Sequence, residues 1–262
     1  MGERAEYSPG TFSWVDLATT DVEGAKSFYS GLFHWEFEDM FANGIATYTM
    51  FMINGKSVAA CYEQLAEQRA QGIPPTWLSY ITVANVDEST TTARGLGATV
   101  LQEPADVLDS GRMAVLADPQ GAAVALWEPR AHVGAQLVNV PGALSWVELR
   151  TTDQPAAARF YVDLFGWGAE DNDMGPAGTY TIVKVGDRAN GGIMPLSTES
   201  SGFPPHWAPY FVAEDTDKST ARVQELGGNV LMPPTDVPQG RIAVVTDPQG
   251  ASFSLFAGPL DP

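Results

Sequence analysis

WVDLATTD, residues 14–21, returns as WVELRTTD at 146–153, and SFYSGLFHW at 27–35 returns as RFYVDLFGW at 159–167. Working outward, PPTW (74–77) matches PPHW (204–207), LGATVLQEP (from Leu96) matches LGGNVLMPP (from Leu226), and GRMAVLADPQGAAVALW (from Gly111) matches GRIAVVTDPQGASFSLF (from Gly240). The offset drifts only from 132 to 129 residues along the chain. Collinear matches at a near-constant offset mean two tandem copies of one domain, so a site in one copy is expected in the other. The 262 residues therefore divide into a first domain over 1–130, a connection over 131–142 rich in Gly and Pro, and a second domain over 143–262.

Each copy itself repeats a shorter unit. Ser13–Thr19 alternates like a strand, Asp21 can cap a helix, and Ala25, Phe28, Tyr29, Leu32 and Phe33 recur at helical spacing. Strands follow, including Ile45–Ile53 and the small-residue run Val58–Cys61. The second unit repeats this order: strand Leu78–Ala84, a helix from about Asp87 to Leu96, then strands at Thr99–Gln102, Arg112–Ala117 and Ala122–Trp127, with DPQG (118–121) turning between the last two. The pattern is βαβββ four times, an α+β chain.

The four modules, the FY-x-x-LF-x-W helix ends and the paired DPQG turns resemble the vicinal oxygen chelate superfamily of glyoxalases, extradiol dioxygenases and bleomycin-resistance proteins. The resemblance covers nearly the whole chain. In particular it resembles a two-domain actinobacterial subgroup that includes a mycobacterial antigen and accessory "hydroxylase" proteins of anthracycline-type polyketide clusters. It implies four βαβββ modules curled into two cup-shaped mixed sheets, with a ligand held in the cup. Fold alone does not select the chemistry, since the superfamily spans lyases, oxygenases and pure binders.

Metal-dependent members resembling this chain take His, Gln or Glu ligands from the first and last strands of each module. The matching positions here are Trp14, Leu78 and Ala125 in copy one and Trp146, Ala208 and Ser254 in copy two, with the remaining position among 58–61 and 190–193. An indole offers only a donor, and none of the other positions carries a histidine or carboxylate. No metal or other cofactor is expected, and a metal-dependent lyase or dioxygenase is disfavoured.

Alternation on a strand puts Asp16 on the face of Trp14 and Glu148 on that of Trp146. It likewise groups Thr76, Leu78 and Tyr80, and His206, Ala208 and Tyr210, while the last strands add Trp127 and Phe256. The expected ligand-binding set is Trp14, Asp16, Leu78, Tyr80, Trp127, Trp146, Glu148, His206, Tyr210 and Phe256. Trp35, Trp77, Trp167 and Trp207 read instead as core. Glu148 with His206 occurs only in copy two and is a candidate acid/base pair. Arg112 and Arg241 suit bracing of the preceding loop or pairing with a carboxylate rather than binding a substrate, His34 a helix end, and His132 a structural place in the connection.

A net charge of −18 disfavours nucleic acid and anionic membranes as partners. No apolar run has membrane-spanning length, the first residues lack a leader pattern, and a lone cysteine, Cys61, suits a reducing cytoplasm. Two functions stand open. The first is metal-free binding of a flat aromatic small molecule, such as a polyketide antibiotic or intermediate, in an accessory or self-resistance role beside a partner oxygenase. The second is a metal-independent isomerase, cyclase or lyase using Glu148 and His206.

Overall fold

The structure is a computed structural model that describes residues 2–42, 45–175, 178–196 and 204–260. Copy one runs β1 (Phe12–Thr19), α1 (Val22–Phe33), β2 (Glu36–Ala42), β3 (Ile45–Ile53), β4 (Lys56–Glu63), a short α2 (Ala66–Ala70), β5 (Thr76–Thr82), α3 (Val86–Gly95), β6 (Thr99–Val107), β7 (Gly111–Ala117) and β8 (Ala123–Pro129). Copy two runs β9 (Leu144–Thr151), α4 (Gln154–Phe165), β10 (Gly168–Asp173), β11 (Thr179–Val185), β12 (Arg188–Pro195), β13 (His206–Val212), α5 (Thr216–Glu225), β14 (Asn229–Val237), β15 (Gly240–Thr246) and β16 (Ser252–Ala257). The four-module pattern read from the sequence is present, with α2 as an addition.

Both modules of a copy share one eight-stranded sheet, in the order β2-β3-β4-β1-β5-β8-β7-β6 and, in copy two, β10-β11-β12-β9-β13-β16-β15-β14. The modules join where β1 meets β5 antiparallel, while β4 and β8 flank that pair in parallel. Local chemistry fixes the element ends. Asp21 accepts the Gly24 N–H at 2.9 Å and Asp153 that of Ala156 at 3.0 Å, each opening its helix. The helices then stop at His34 (φ 58°) and Gly166 (φ 68°), both in the left-handed conformation that ends a helix. His34 therefore occupies a conformation that glycine adopts more cheaply.

Strand parity separates two environments. Val15, Leu17, Val147 and Leu149 face one large core that contains residues of both copies, whereas Trp14 belongs to a separate apolar cluster with Tyr80, Ala125 and Trp127. The bulge between Phe12 and Trp14 turns Phe12 back to the shared core, where its ring lies 4.9 Å from that of Trp207. Trp35, Trp77, Trp167 and Trp207 all sit in the shared core.

The copies are tied by reciprocal bonds. The Tyr29 hydroxyl donates to Asp247 and the Tyr161 hydroxyl to Asp118, each at 3.1 Å, so the FY tyrosine of one copy meets the DPQG aspartate of the other. Asp118 also accepts the backbone N–H groups of Gln120 and Ala122, closing its own turn. In the same way Trp35 donates to the Gly142 carbonyl and Trp167 to the Gly10 carbonyl. Gly10 and Gly142 are matched positions at φ 88° and 81°, which orient those carbonyls across the boundary.

Candidate functional site

The cup faces carry the even-numbered residues of β1, β9, β5 and β13. In copy one the Trp14 indole donates to the Tyr48 hydroxyl (3.1 Å), and Tyr48 and Tyr80 both donate to Asp16 Oδ2 (3.0 and 2.8 Å). Copy two repeats the chain of donors: Trp146 to Tyr180 (2.9 Å), Tyr180 to Glu148 Oε2 (3.2 Å) and Tyr210 to Glu148 Oε1 (2.9 Å). The expectation that each cup is aromatic with one carboxylate thus acquires a definite wiring. Tyr48 and Tyr180 escaped the sequence reading, although ATYT (46–49) and GTYT (178–181) repeat at the same 132-residue offset as the tryptophans. Gly192 makes room for the second network, since a Cβ there would clash with the Tyr180 hydroxyl.

The electrostatics of the two cups differ. Asp16 is 2 % exposed, and its Oδ1 is buried with no hydrogen-bond partner among the described residues. Burial raises its carboxyl pKa to about 7 against the pull of Tyr80 and Tyr48. Glu148 is also buried, but the Arg150 Nε donates to its Oε1 at 3.1 Å. The match of Arg150 in copy one is Ala18, so the repeat supplies one cup with a cation and leaves the other with none at that position. Arg150 lies opposite His206 in the β9–β13 register. His206 Nδ1 is 2.8 Å from the Pro204 carbonyl, an acceptor only, so Nδ1 carries the proton and Nε2 is the basic nitrogen. Burial lowers the His206 pKa and Arg150 adds to that, against the opposing pull of the Pro204 hydrogen bond and Glu148, which leaves the neutral ring favoured near pH 7.

The cups also differ in access. His132, in the connection, lies edge-on to Trp14 with ring centroids 4.7 Å apart, and its carbonyl accepts the Trp127 indole N–H at 2.9 Å. Ala135 continues the cover by donating to the Ser13 carbonyl at 2.7 Å. Trp14 and Trp127 are accordingly 3 % and 5 % exposed, whereas their counterparts Trp146 and Phe256 are only partly buried. His132 is therefore a lid residue over copy one as well as a structural one. Leu78 is partly buried beside Trp14, and Ala208 stands opposite Glu148. Arg112 pairs with Asp87 and Asp106, and Arg241 with Asp217 and Asp236, away from the cups.

The superfamily's resident metal does not fit these donor sets. The alignable ligand positions carry Trp14, Leu78 and Ala125, or Trp146, Ala208 and Ser254. Ala60 stands opposite Asp16 and Gly192 opposite Glu148 on the remaining strands. Among the described residues no group of three or more His, Cys, Asp or Glu converges. The phenols around each carboxylate have raised pKa values through burial and the adjacent carboxylate, so they stay protonated donors rather than ligands. Among the described residues, no helix is long and apolar enough to cross a membrane.

Comparison with known proteins agrees with the fold. The family model described as Glyoxalase/Bleomycin resistance protein/Dioxygenase superfamily matches residues 11–126 and 143–255. The chain is 40 % identical over 258 residues to the "Putative glyoxylase CFP32" of Mycobacterium tuberculosis, covering 98 % of each chain. It is 36 % identical over 259 residues to the anthracycline biosynthesis protein DnrV of Streptomyces peucetius, covering 95 % of this chain and 94 % of that one. Among solved structures, the Mn(II)-bound glyoxalase from Novosphingobium aromaticivorans superposes with a TM-score of 0.66 at 14 % identity, over 97 % of this chain and 83 % of that one.

Proposed function

Because this chain belongs to the Glyoxalase/Bleomycin resistance protein/Dioxygenase superfamily, we propose that it uses the superfamily's cup as a metal-free pocket for a flat aromatic small molecule. The observation that carries this reading is the partly exposed Trp146 and Phe256 in a cup whose floor is one phenol-bound carboxylate. Pockets of that kind are mostly apolar, with few placed polar groups. The relatives named for anthracycline biosynthesis support a polyketide antibiotic or intermediate as the ligand, and an accessory or self-resistance role that presents or sequesters it beside a partner oxygenase. Copy two is the receiving cup, and copy one is held shut by His132.

The test is titration of tryptophan fluorescence with a panel of anthraquinone-type polyketides, followed by chromatography of the recovered ligand. Binding in the micromolar range or tighter is expected, with the ligand unchanged. Trp146→Ala should weaken it by about 1–2 kcal/mol through lost stacking and area, while Trp14→Ala lowers the melting temperature instead. Equal, unaffected affinity in both variants would sink the reading.

The neutral His206 beside Arg150 and Glu148 favours a second reading, a metal-independent isomerase, cyclase or lyase. A proton-transfer partner contributes roughly 10²–10⁴-fold in rate. Turnover of a polyketide that collapses in both His206→Ala and Glu148→Gln while affinity persists would establish it.

A further inference from the structure

Aligning the two copies isolates a pair of coupled differences at one end of the cup. Ala18 stands opposite Thr76 in copy one, and at the same register Arg150 stands opposite His206 in copy two. Directly opposed residues on antiparallel strands have their side chains in reach of each other. Copy two has therefore gained a guanidinium and an imidazole side by side, on the cup face that also bears Trp146 and Glu148.

The guanidinium is held in place rather than mobile. Its side chain is 19 % exposed, Nε donates to Glu148, and Tyr210 lies within hydrogen-bonding range. A guanidinium has five N–H donors, and these two partners use only part of that set. Among the described residues the structure gives its two terminal nitrogens no hydrogen bond to any other group. A rigid, charged donor fork at the rim of an aromatic pocket is the arrangement that recognises a planar oxyanion bidentately. The chain's net charge of −18 opposes the approach of any anion, so attraction of an anionic group has to come from direct contact with this cation.

We propose that the Arg150 guanidinium reads an ionised oxygen on the aromatic ligand, a carboxylate or an acidic phenolate, while the ring system lies against Trp146 and Phe256. This rests on the aromatic-binding reading of the same cup and narrows its ligand class. Glu148 acts through Arg150: its Oε1 accepts from Nε, which anchors the guanidinium without using its terminal nitrogens. Copy one, with Ala18 and Thr76 at that end, has no counterpart for this recognition.

The experiment compares anthraquinone-2-carboxylate with its methyl ester at neutral pH by calorimetry and tryptophan quenching on the full chain. The carboxylate should bind at least about tenfold more tightly than the ester, the size expected of a charge-assisted hydrogen-bonded pair. Arg150→Met should reduce that ratio to within about twofold, and Arg150→Lys should keep only part of it because a point charge lacks the fork. Since Arg150→Met strips Glu148 of its cation, the doubly neutral Arg150→Met/Glu148→Gln variant is measured beside it, and the ratio should be lost there too, with cooperative unfolding retained. Equal binding of acid and ester by the unmodified protein, or a preference that survives both variants, overturns the inference while leaving aromatic binding in place. If neither probe binds, both readings fall together.

Discussion

At the scale of single residues, Asp16 is the group whose titration the fold disturbs most usefully. Its folded-state pKa of about 7 lies above the unfolded value of about 3.9. Its contribution to stability is therefore fully present below pH 4 and is lost as pH rises through 7, opposite in sign to a salt-bridged carboxylate. The window is worth on the order of 4 kcal/mol, at about 1.4 kcal/mol per pH unit. Asp16→Asn keeps an acceptor for Tyr48 and Tyr80 without the charge. Its melting temperature should match the unmodified protein at pH 4.5 and exceed it at pH 8; a gap independent of pH would refute the assignment. Much of this was legible beforehand, because strand alternation alone put Asp16 and Glu148 on the cup face. Arg150 was in plain view inside WVELRTTD but carried no meaning until the opposing strand showed what it faces, since cross-strand register is a tertiary property.

Elements show the same division between local and long-range information. Helix starts at Asp21 and Asp153 follow from side-chain capping a few residues away, so sequence suffices. The function of Tyr29 and Tyr161 does not, because each hydroxyl is satisfied by an aspartate of the other copy and receives a tryptophan N–H as well, from Trp77 and Trp207. Tyr29→Phe or Tyr161→Phe leaves a buried carboxylate oxygen and a buried indole N–H without that partner. Each should cost about 1–3 kcal/mol in urea denaturation with little change in m. His34→Gly should do the reverse: the left-handed helix end becomes less strained, and stability should rise by a few tenths to about 1 kcal/mol.

For the whole molecule, the shared core decides what counts as a folding unit. Phe28 and Tyr29 of α1 pack on Phe253 of β16, and α1 and α3 lie against α5 and α4 of the other copy. Residues 1–142 expressed alone would expose that apolar face, so they should aggregate or stay partly unfolded. The full chain should melt in one cooperative transition; two separable transitions in calorimetry would contradict the common core. The repeat announced two domains, yet their merging was not legible from it, because apolar periodicity marks a buried face without naming its partner. The crossed tyrosine–aspartate bonds make the protein equivalent to a symmetric dimer whose halves have been spliced together. An unspliced dimer would be obliged to carry every substitution twice, whereas splicing lets one half drift: Arg150 can appear on one side alone, and a covalent strap can seal the other.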